Sequence, residues 1–212
     1  MKLAKILAFD TSAAHCAAVL LCGDSVWAKF EVMEKGQAER LMPLIAELLA
    51  EAGVGLADIT AIGVGTGPGN FTGVRISVAA ARGLALGLGV PAIGVTRLEA
   101  LALDLPRPVT VIEDARRGEV YVQRFDNGGP GVARMVSAAE LDVVEGAVTG
   151  SGCDGLPAAM PIAEAIGRIA LSRVGSVQPR PAPFYLRGAD AAPPSDLPPV
   201  ILDLAPPTLV IP

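Results

Sequence analysis

The 212-residue chain is 51% hydrophobic with a net charge of −5, enough apolar material for one large domain or two lobes of about 100 residues each. The acidic balance argues against a stand-alone nucleic-acid binder, which needs a basic field, and leaves open only a local basic patch. Three cysteines (Cys16, Cys22 and Cys153) with no Cys-x-x-Cys spacing argue against a disulfide framework or a zinc site and suit a reducing cytoplasm.

The chain opens with three strand-like runs, 3–9 (LAKILAF), 16–22 (CAAVLLC) and 25–32 (SVWAKFEV). The turns between them, Thr11–Ala14 and Gly23-Asp24, are short enough for an antiparallel meander. The first run superficially resembles a signal peptide. Asp10 interrupts its apolar stretch and Leu21 is too large to precede a cleaved or lipidated Cys22, so a buried strand is expected. Helical spacing takes over at 37–52, where Leu41, Leu44, Ile45, Leu48 and Leu49 form one stripe and Gly53 supplies the stop. A short buried strand (59–65) leads through the loop VGTGPGNFTGVR (64–75) into a helix over 71–88, a strand at 91–95 and a helix over 96–103. The order βββαβαβα implies a five-stranded mixed sheet with helices on both faces. No apolar run reaches the roughly 20 residues of a bilayer span, so no membrane association is expected.

The second half repeats the opening. TVIEDARRGEVYVQRF (110–125) is strand, Asp114, tight turn, strand, parallel to ILAFDTSAAHCAAVLL (6–21) with Asp10. Strands at 131–136 and 147–152 and a helix at 162–174 complete a shortened copy. An N-terminal lobe at 1–104 and a smaller C-terminal lobe at 105–212 are expected. Each lobe is a mixed sheet flanked by helices, the α/β layout of the actin/Hsp70/sugar-kinase (RNase H-like) superfold, in which paired hairpins grip a nucleotide phosphate. Fold alone does not settle function. From Pro179 onward ten of 34 residues are proline, yet VILDL (200–204) and TLVIP (208–212) are too apolar for a solvated tail, so this segment is expected to pack on the body or on a partner.

The glycine-rich loop matches neither phosphate-binding fingerprint. A Walker loop ends in Gly-Lys-Ser/Thr, whereas Gly73 precedes Val74-Arg75, and a GxGxxG motif begun at Gly65 meets Asn70 where its third glycine belongs. Two readings stay open. The loop turns a strand into a helix capped by Asn70 or Thr72, or an anion rests at that helix N-terminus beside Gly67 and Gly69. Asp10-Thr11-Ser12 and Asp114 with Arg116 and Arg117 are matching phosphate candidates on the two hairpins, and equally ordinary turn chemistry. His15 is the lone histidine and falls in a turn. With no His or Cys pair, neither a transition-metal site nor an activated nucleophile is visible, and no catalytic residue or cofactor is assigned. The helix at 71–88 carries Ala79, Ala80, Ala81, Gly83, Ala85 and Gly87. Interior glycine costs up to roughly 1 kcal/mol per residue, which close approach of another helix would offset. Part of that neighbour is expected to be the 37–52 helix and part another protein.

ILAFDTS, ERLMP, GTGPGNFTGVRIS, VPAIGV, DARRGEVY and PAPFYLRGADA (181–191) resemble the TsaB (YeaZ) family in order and spacing over nearly the whole chain. The resemblance implies a subunit of the bacterial machinery that makes N6-threonylcarbamoyladenosine at adenosine 37 of tRNAs reading ANN codons. It implies pairing with the catalytic paralog TsaD through two N-lobe helices of each partner, a TsaE-type ATPase that joins them, TsaC supplying threonylcarbamoyl-AMP, and tRNA met only through the complex. In the paralog the segment matching VPAIGVTRLEAL supplies two metal-binding histidines. Here those positions are Arg97 and Leu101, which cannot ligate a cation. Gln37 stands where many relatives have histidine. The expected reading is therefore a non-catalytic cytoplasmic dimerisation subunit, with a docking face of Leu41, Leu44, Leu48, Val74, Ser77, Ala81 and Leu84 and with Arg75 and Arg82 as polar edges. Alone, the chain is expected to form a two-fold homodimer on the same helices. An ATP-binding phosphotransferase and a glycoprotease-like peptidase are the alternatives. Contacts of Arg116, Arg117 or Arg187 with tRNA are left open.

Overall fold

A computed structural model describes residues 3–141 and 144–187. In the first half β1 (Lys5–Asp10), β2 (His15–Cys22) and β3 (Ser25–Val32) form the meander. They are followed by α1 (Gln37–Ala52), β4 (Ala61–Gly65), α2 (Phe71–Leu88), β5 (Ala92–Val95) and α3 (Arg97–Ala102). The sheet order is β3-β2-β1-β4-β5, antiparallel within the meander and parallel across β1, β4 and β5. The strands β1, β2 and β4 are almost continuously apolar because both faces of the sheet are covered.

One face carries α1 and α2. Leu41, Leu44, Ile45, Leu48 and Leu49 join Val74, Val78, Ala81 and Ala85 over Leu7, Phe9, Ala18, Leu20 and Ile62. Each fully buried leucine there contributes about 1.5–3 kcal/mol of transfer free energy. By length and composition α2 is apolar enough to enter a bilayer, and one side of it is this core. Arg40 ties α1 to β3, with its Nε 2.7 Å from Glu31 Oε2 and its Nη1 2.7 Å from Glu47 Oε1. Gln37 is buried at the start of α1 and donates from Nε2 to the Met33 carbonyl at 3.1 Å.

The opposite face is covered by α4 (Ile162–Arg173), whose Ile162, Ala163, Ala165, Ile166, Ile169 and Ala170 pack on Ile6, Ala8, Ala17, Val19 and Ala61. The repeat pattern assigns this helix to the second lobe, yet its apolar face lies on the first sheet. Both sides of β1 and β2 are apolar, and the side away from α1 and α2 needs a cover that the first half lacks.

The second sheet comprises β6 (Val109–Asp114), β7 (Glu119–Asp126), β8 (Gly129–Pro130), β9 (Arg134–Ser137) and β10 (Ala147–Thr149). With β6–β7 and β7–β9 antiparallel and β6–β10 parallel, the order β9-β7-β6-β10 reproduces β3-β2-β1-β4. The strand expected at 131–136 forms as β9 at Arg134–Ser137, and β8 precedes it as a separate two-residue stretch that ends at Pro130, which has no N–H to extend the ladder. Two mixed sheets of this repeated order, flanked by helices, are the actin/Hsp70/sugar-kinase-like fold. Residues 181–187 run back across the first half, where the Phe184 N–H donates to the Thr66 carbonyl at 2.8 Å. VILDL, TLVIP and the end of PAPFYLRGADA lie outside the described residues.

Candidate functional site

The β1–β2 hairpin and the β4–α2 loop are pressed together. A Cβ on Gly69 would sit 2.2 Å from the Ser12 carbonyl oxygen, and one on Gly73 would sit 1.9 Å from that of Thr11. The Asn70 N–H donates to Ser12 O at 2.7 Å, and the Thr11 hydroxyl donates to Gly73 O at 2.6 Å. Asn70, rather than Thr72, caps the helix, its Oδ1 accepting from the Gly73 N–H at 3.0 Å. The buried Gly67 gives its carbonyl to the Arg97 N–H at 2.7 Å. Gly69 and Gly73 thus admit the backbone of the neighbouring hairpin, and the space an anion would occupy beside them holds the Thr11 and Ser12 carbonyls.

Asp10 is the hub of this contact. Its Oδ2 accepts from the Ser12 N–H (3.1 Å) and hydroxyl (2.8 Å) and meets His15 Nε2 at 2.7 Å, all within the protein interior. Its Oδ1, with no hydrogen-bond partner among the described residues, lies where a side chain on Gly65 would begin. Burial alone would raise the Asp10 carboxyl, but the hydrogen bond and electrostatic pull of His15, with Arg97 and Ser12, outweigh it and hold Asp10 below the ordinary carboxylate range. The sequence placed His15 in a turn, but it begins β2 and is buried against Asp10. Ser12 and His15 both bond to Asp10 Oδ2, so the serine is not aligned on the histidine as a nucleophile–base pair requires.

Arg97 links this hub to the second hairpin. Its Nε donates to Glu113 Oε2 at 2.6 Å, and its Nη1 stands 4.0 Å from Asp10 Oδ2. Burial works against the Arg97 charge, while Glu113 and Asp10 strengthen it, so a fixed cation sits between two carboxylates. Glu113 also accepts from the Ser151 N–H at 2.7 Å. Asp114, the residue singled out from the repeat, is exposed and accepts from the Arg116 N–H at 2.7 Å in an Asx turn. Arg116 is exposed with φ 64°, and Arg117 is exposed beside it. Arg187 reaches the same hairpin through Ala115 O at 2.9 Å and the Glu119 carboxylate. The inward carboxylate of this hairpin is therefore Glu113, whose only trace in the sequence is a charge inside the apolar run VTVIED. Leu101 packs into the apolar clusters around it.

The helix residues expected to face a partner divide in two. Leu41, Leu44, Leu48, Val74, Ser77 and Ala81 are buried on the chain's own first sheet and Leu84 is half-buried against it, a correction to their expected exposure. The stripe that identifies a helix is the one it buries at home. What α1 exposes is Ala38, Met42, Pro43, Ala46 and Ala50 together with Glu39, Glu47 and Glu51, and what α2 exposes is Phe71, Thr72, Arg75, Ala79, Gly83, Leu86 and Gly87. At the start of α2 the Arg75 guanidinium lies 3.7 Å over the Phe71 ring, and its Nε donates to the Tyr185 hydroxyl at 2.9 Å. Tyr185 stacks on Phe71 at 5.0 Å between centroids. Arg82 is half-buried farther along α2.

The family model for TsaD, tRNA N6-adenosine threonylcarbamoyltransferase, matches residues 31–191. An uncharacterized Mycobacterium tuberculosis protein is 34% identical over 203 residues, covering 91% of this chain and 96% of that protein. Escherichia coli TsaB, a tRNA threonylcarbamoyladenosine biosynthesis protein, is 41% identical over 132 residues. The chain belongs to the TsaB (YeaZ) family. The match spans 57% of the Escherichia coli TsaB length, so the chain aligns with little more than half of that relative. A solved YeaZ from Pseudomonas aeruginosa superposes with a TM-score of 0.72 at 29% identity, covering 87% of this chain and all of that one. A second Pseudomonas aeruginosa structure with the same agreement is described as similar to peptidase YeaZ. The β1–β2 hairpin, the glycine loop and the helix pair α1–α2 are thus features of a TsaB-family fold.

Proposed function

We propose that the chain acts in N6-threonylcarbamoyladenosine biosynthesis as a non-catalytic subunit that docks a TsaD-type catalytic paralog through the exposed sides of α1 and α2. The observation that carries this reading is the outer side of α2. There Ala79, Gly83 and Gly87 lie exposed beside Leu86, which is 83% exposed. A Cβ on Gly83 or Gly87 meets nothing within 4 Å, so neither glycine is required by the chain's own packing. Helical glycines with no internal neighbour, whose cost is noted above, fit close approach of a second backbone. Phe71, Arg75 and Tyr185 at the start of α2 supply the aromatic and arginine anchors favoured at interface centres. The Arg97 cation held between Asp10 and Glu113 supports a supporting rather than chemical role. In this reading a TsaE-type ATPase joins the pair, tRNA reading ANN codons reaches the chain only inside the assembly, and the protein is cytoplasmic. Alone, it pairs with itself on the same face.

Reconstitution tests the reading directly. Threonylcarbamoyl transfer to tRNA by the TsaD-type partner is measured with and without this chain, and with Gly83→Glu. The wild-type chain is expected to raise transfer, and Gly83→Glu to fold normally, fail to co-purify and leave transfer at the unsupported level. Transfer independent of the chain, or undiminished co-purification of the variant, refutes it. Tight ATP–magnesium binding by the isolated chain in calorimetry would favour a phosphotransferase instead.

A further inference from the structure

The end of α2, the start of β5, the end of α4 and the segment after it enclose an open cleft of about 560 Å³. Arg82 from α2, Arg173 from the last turn of α4 and Arg180 beyond it line its wall, and no Asp or Glu lines it among the described residues. Arg173 is fixed and neutralised by the Glu99 carboxylate and donates to Gly94 O at 3.4 Å. Arg82 and Arg180 have no acidic partner among the described residues. Two guanidiniums without an acidic partner among the described residues thus stand on one wall of a chain whose net charge is −5. The planar fork of arginine matches phosphate oxygens in pairs. The cleft opens to solvent with Val174 at its rim, and Leu86 lies where it meets the docking side of α2. A free nucleotide needs a concave pocket that buries most of its surface, whereas a polymer backbone needs only spaced cations along an open groove.

We propose that this cleft holds the phosphodiester backbone of the tRNA while the chain is docked to its catalytic partner. The inference rests on the tRNA-modifying role proposed above and adds an RNA contact on this subunit, made by Arg82 and Arg180. Both are sequence-independent contacts, so they position the tRNA without reading it.

The test uses the complex of this chain with the TsaD-type partner. Fluorescence anisotropy follows tRNA binding between about 50 and 200 mM salt for wild type, Arg180→Ala and Arg82→Ala/Arg180→Ala. Two lost phosphate contacts reduce the salt slope by about 1.5, so the affinity that wild type loses over that range exceeds the double variant's loss by about eightfold. The double variant is also expected to bind tRNA at least about tenfold more weakly at the lower salt, with Arg180→Ala intermediate. Equal slopes and affinities in a complex that still co-purifies overturn the inference while leaving the docking reading intact. A wild-type complex that binds no tRNA also overturns it. Loss of partner co-purification in the Arg180→Ala complex assigns the cleft to an acidic protein surface instead, and pyrophosphate that raises the wild-type melting temperature without competing with tRNA assigns it to a small anion. Either result refutes the RNA assignment.

Discussion

Replacing Arg97 by methionine removes the cation between Asp10 and Glu113 while keeping much of the side-chain volume. The side chains of Arg97, Glu113 and Asp10 are 16%, 8% and 1% exposed, so solvent does little to screen the charges left behind. Breaking a buried pair from one side costs about 3–5 kcal/mol, because the remaining charge stays desolvated. For a chain of this size that lowers the melting temperature by about 6–20 °C. The loss has a pH signature. Asp10 is depressed in the folded state, so its contribution is present above its unfolded value near about 3.9 and is lost as pH falls through the folded value. Without Arg97 one of the influences holding Asp10 down is gone and its folded value rises. The variant's deficit is therefore largest near neutral pH and shrinks as pH falls through the variant's raised folded value, where Asp10 protonates in the variant first. Urea unfolding at pH 7, 5.5 and 4.5 measures both effects. A loss below about 1 kcal/mol at pH 7, or a deficit that does not change with pH, would refute the buried-bridge account.

The glycine contacts give a signed pair of variants. Gly73→Ala drives a Cβ into the Thr11 carbonyl and is expected to destabilise by about 3 kcal/mol or more, whereas Gly83→Ala meets open space and gains up to about 1 kcal/mol of helix propensity. Denaturant midpoints that move the same way in both would contradict the clamp. Ala81→Glu places a carboxylate against the first sheet, where Ala81 is fully buried, and is expected to unfold the chain rather than merely undock it; circular dichroism of the purified variant decides. Burial pushes the Cys16 thiol up to about 11, with Glu31 adding to the effect, so at pH 8 iodoacetamide should label Cys16 about a hundredfold more slowly in the folded chain than in urea. Equal rates would show that Cys16 is not held in the interior.

The order of elements was legible because each follows from local pattern. The Leu41–Leu49 stripe, the Gly53 stop and the continuous apolar strands name their own secondary structure. The duplication around Asp10 and Asp114 likewise names the repeated sheet. What local pattern cannot carry is which surface an element covers. The α4 helix reads as part of the second repeat, yet it packs on the first sheet because β1 and β2 are apolar on both faces, a fact about demand elsewhere in the chain. The same gap misplaced the residues expected to face a partner. Leu41, Leu44, Leu48, Val74, Ser77 and Ala81 are the most visible positions of their helices because they serve the home core, and a surface for a partner must come from the residues left over. In α2 those include Gly83 and Gly87, and only their lack of any internal neighbour separates them from Gly69 and Gly73, which look alike in the sequence. The Asp10–Arg97–Glu113 bridge was hidden for a related reason. Its three charges lie on three elements as much as 103 positions apart, and each alone looks like ordinary strand-end or helix-start chemistry. Only the meeting of the two repeats makes Arg97 the counter-ion of both hairpins, where another cation would otherwise have to balance the two carboxylates.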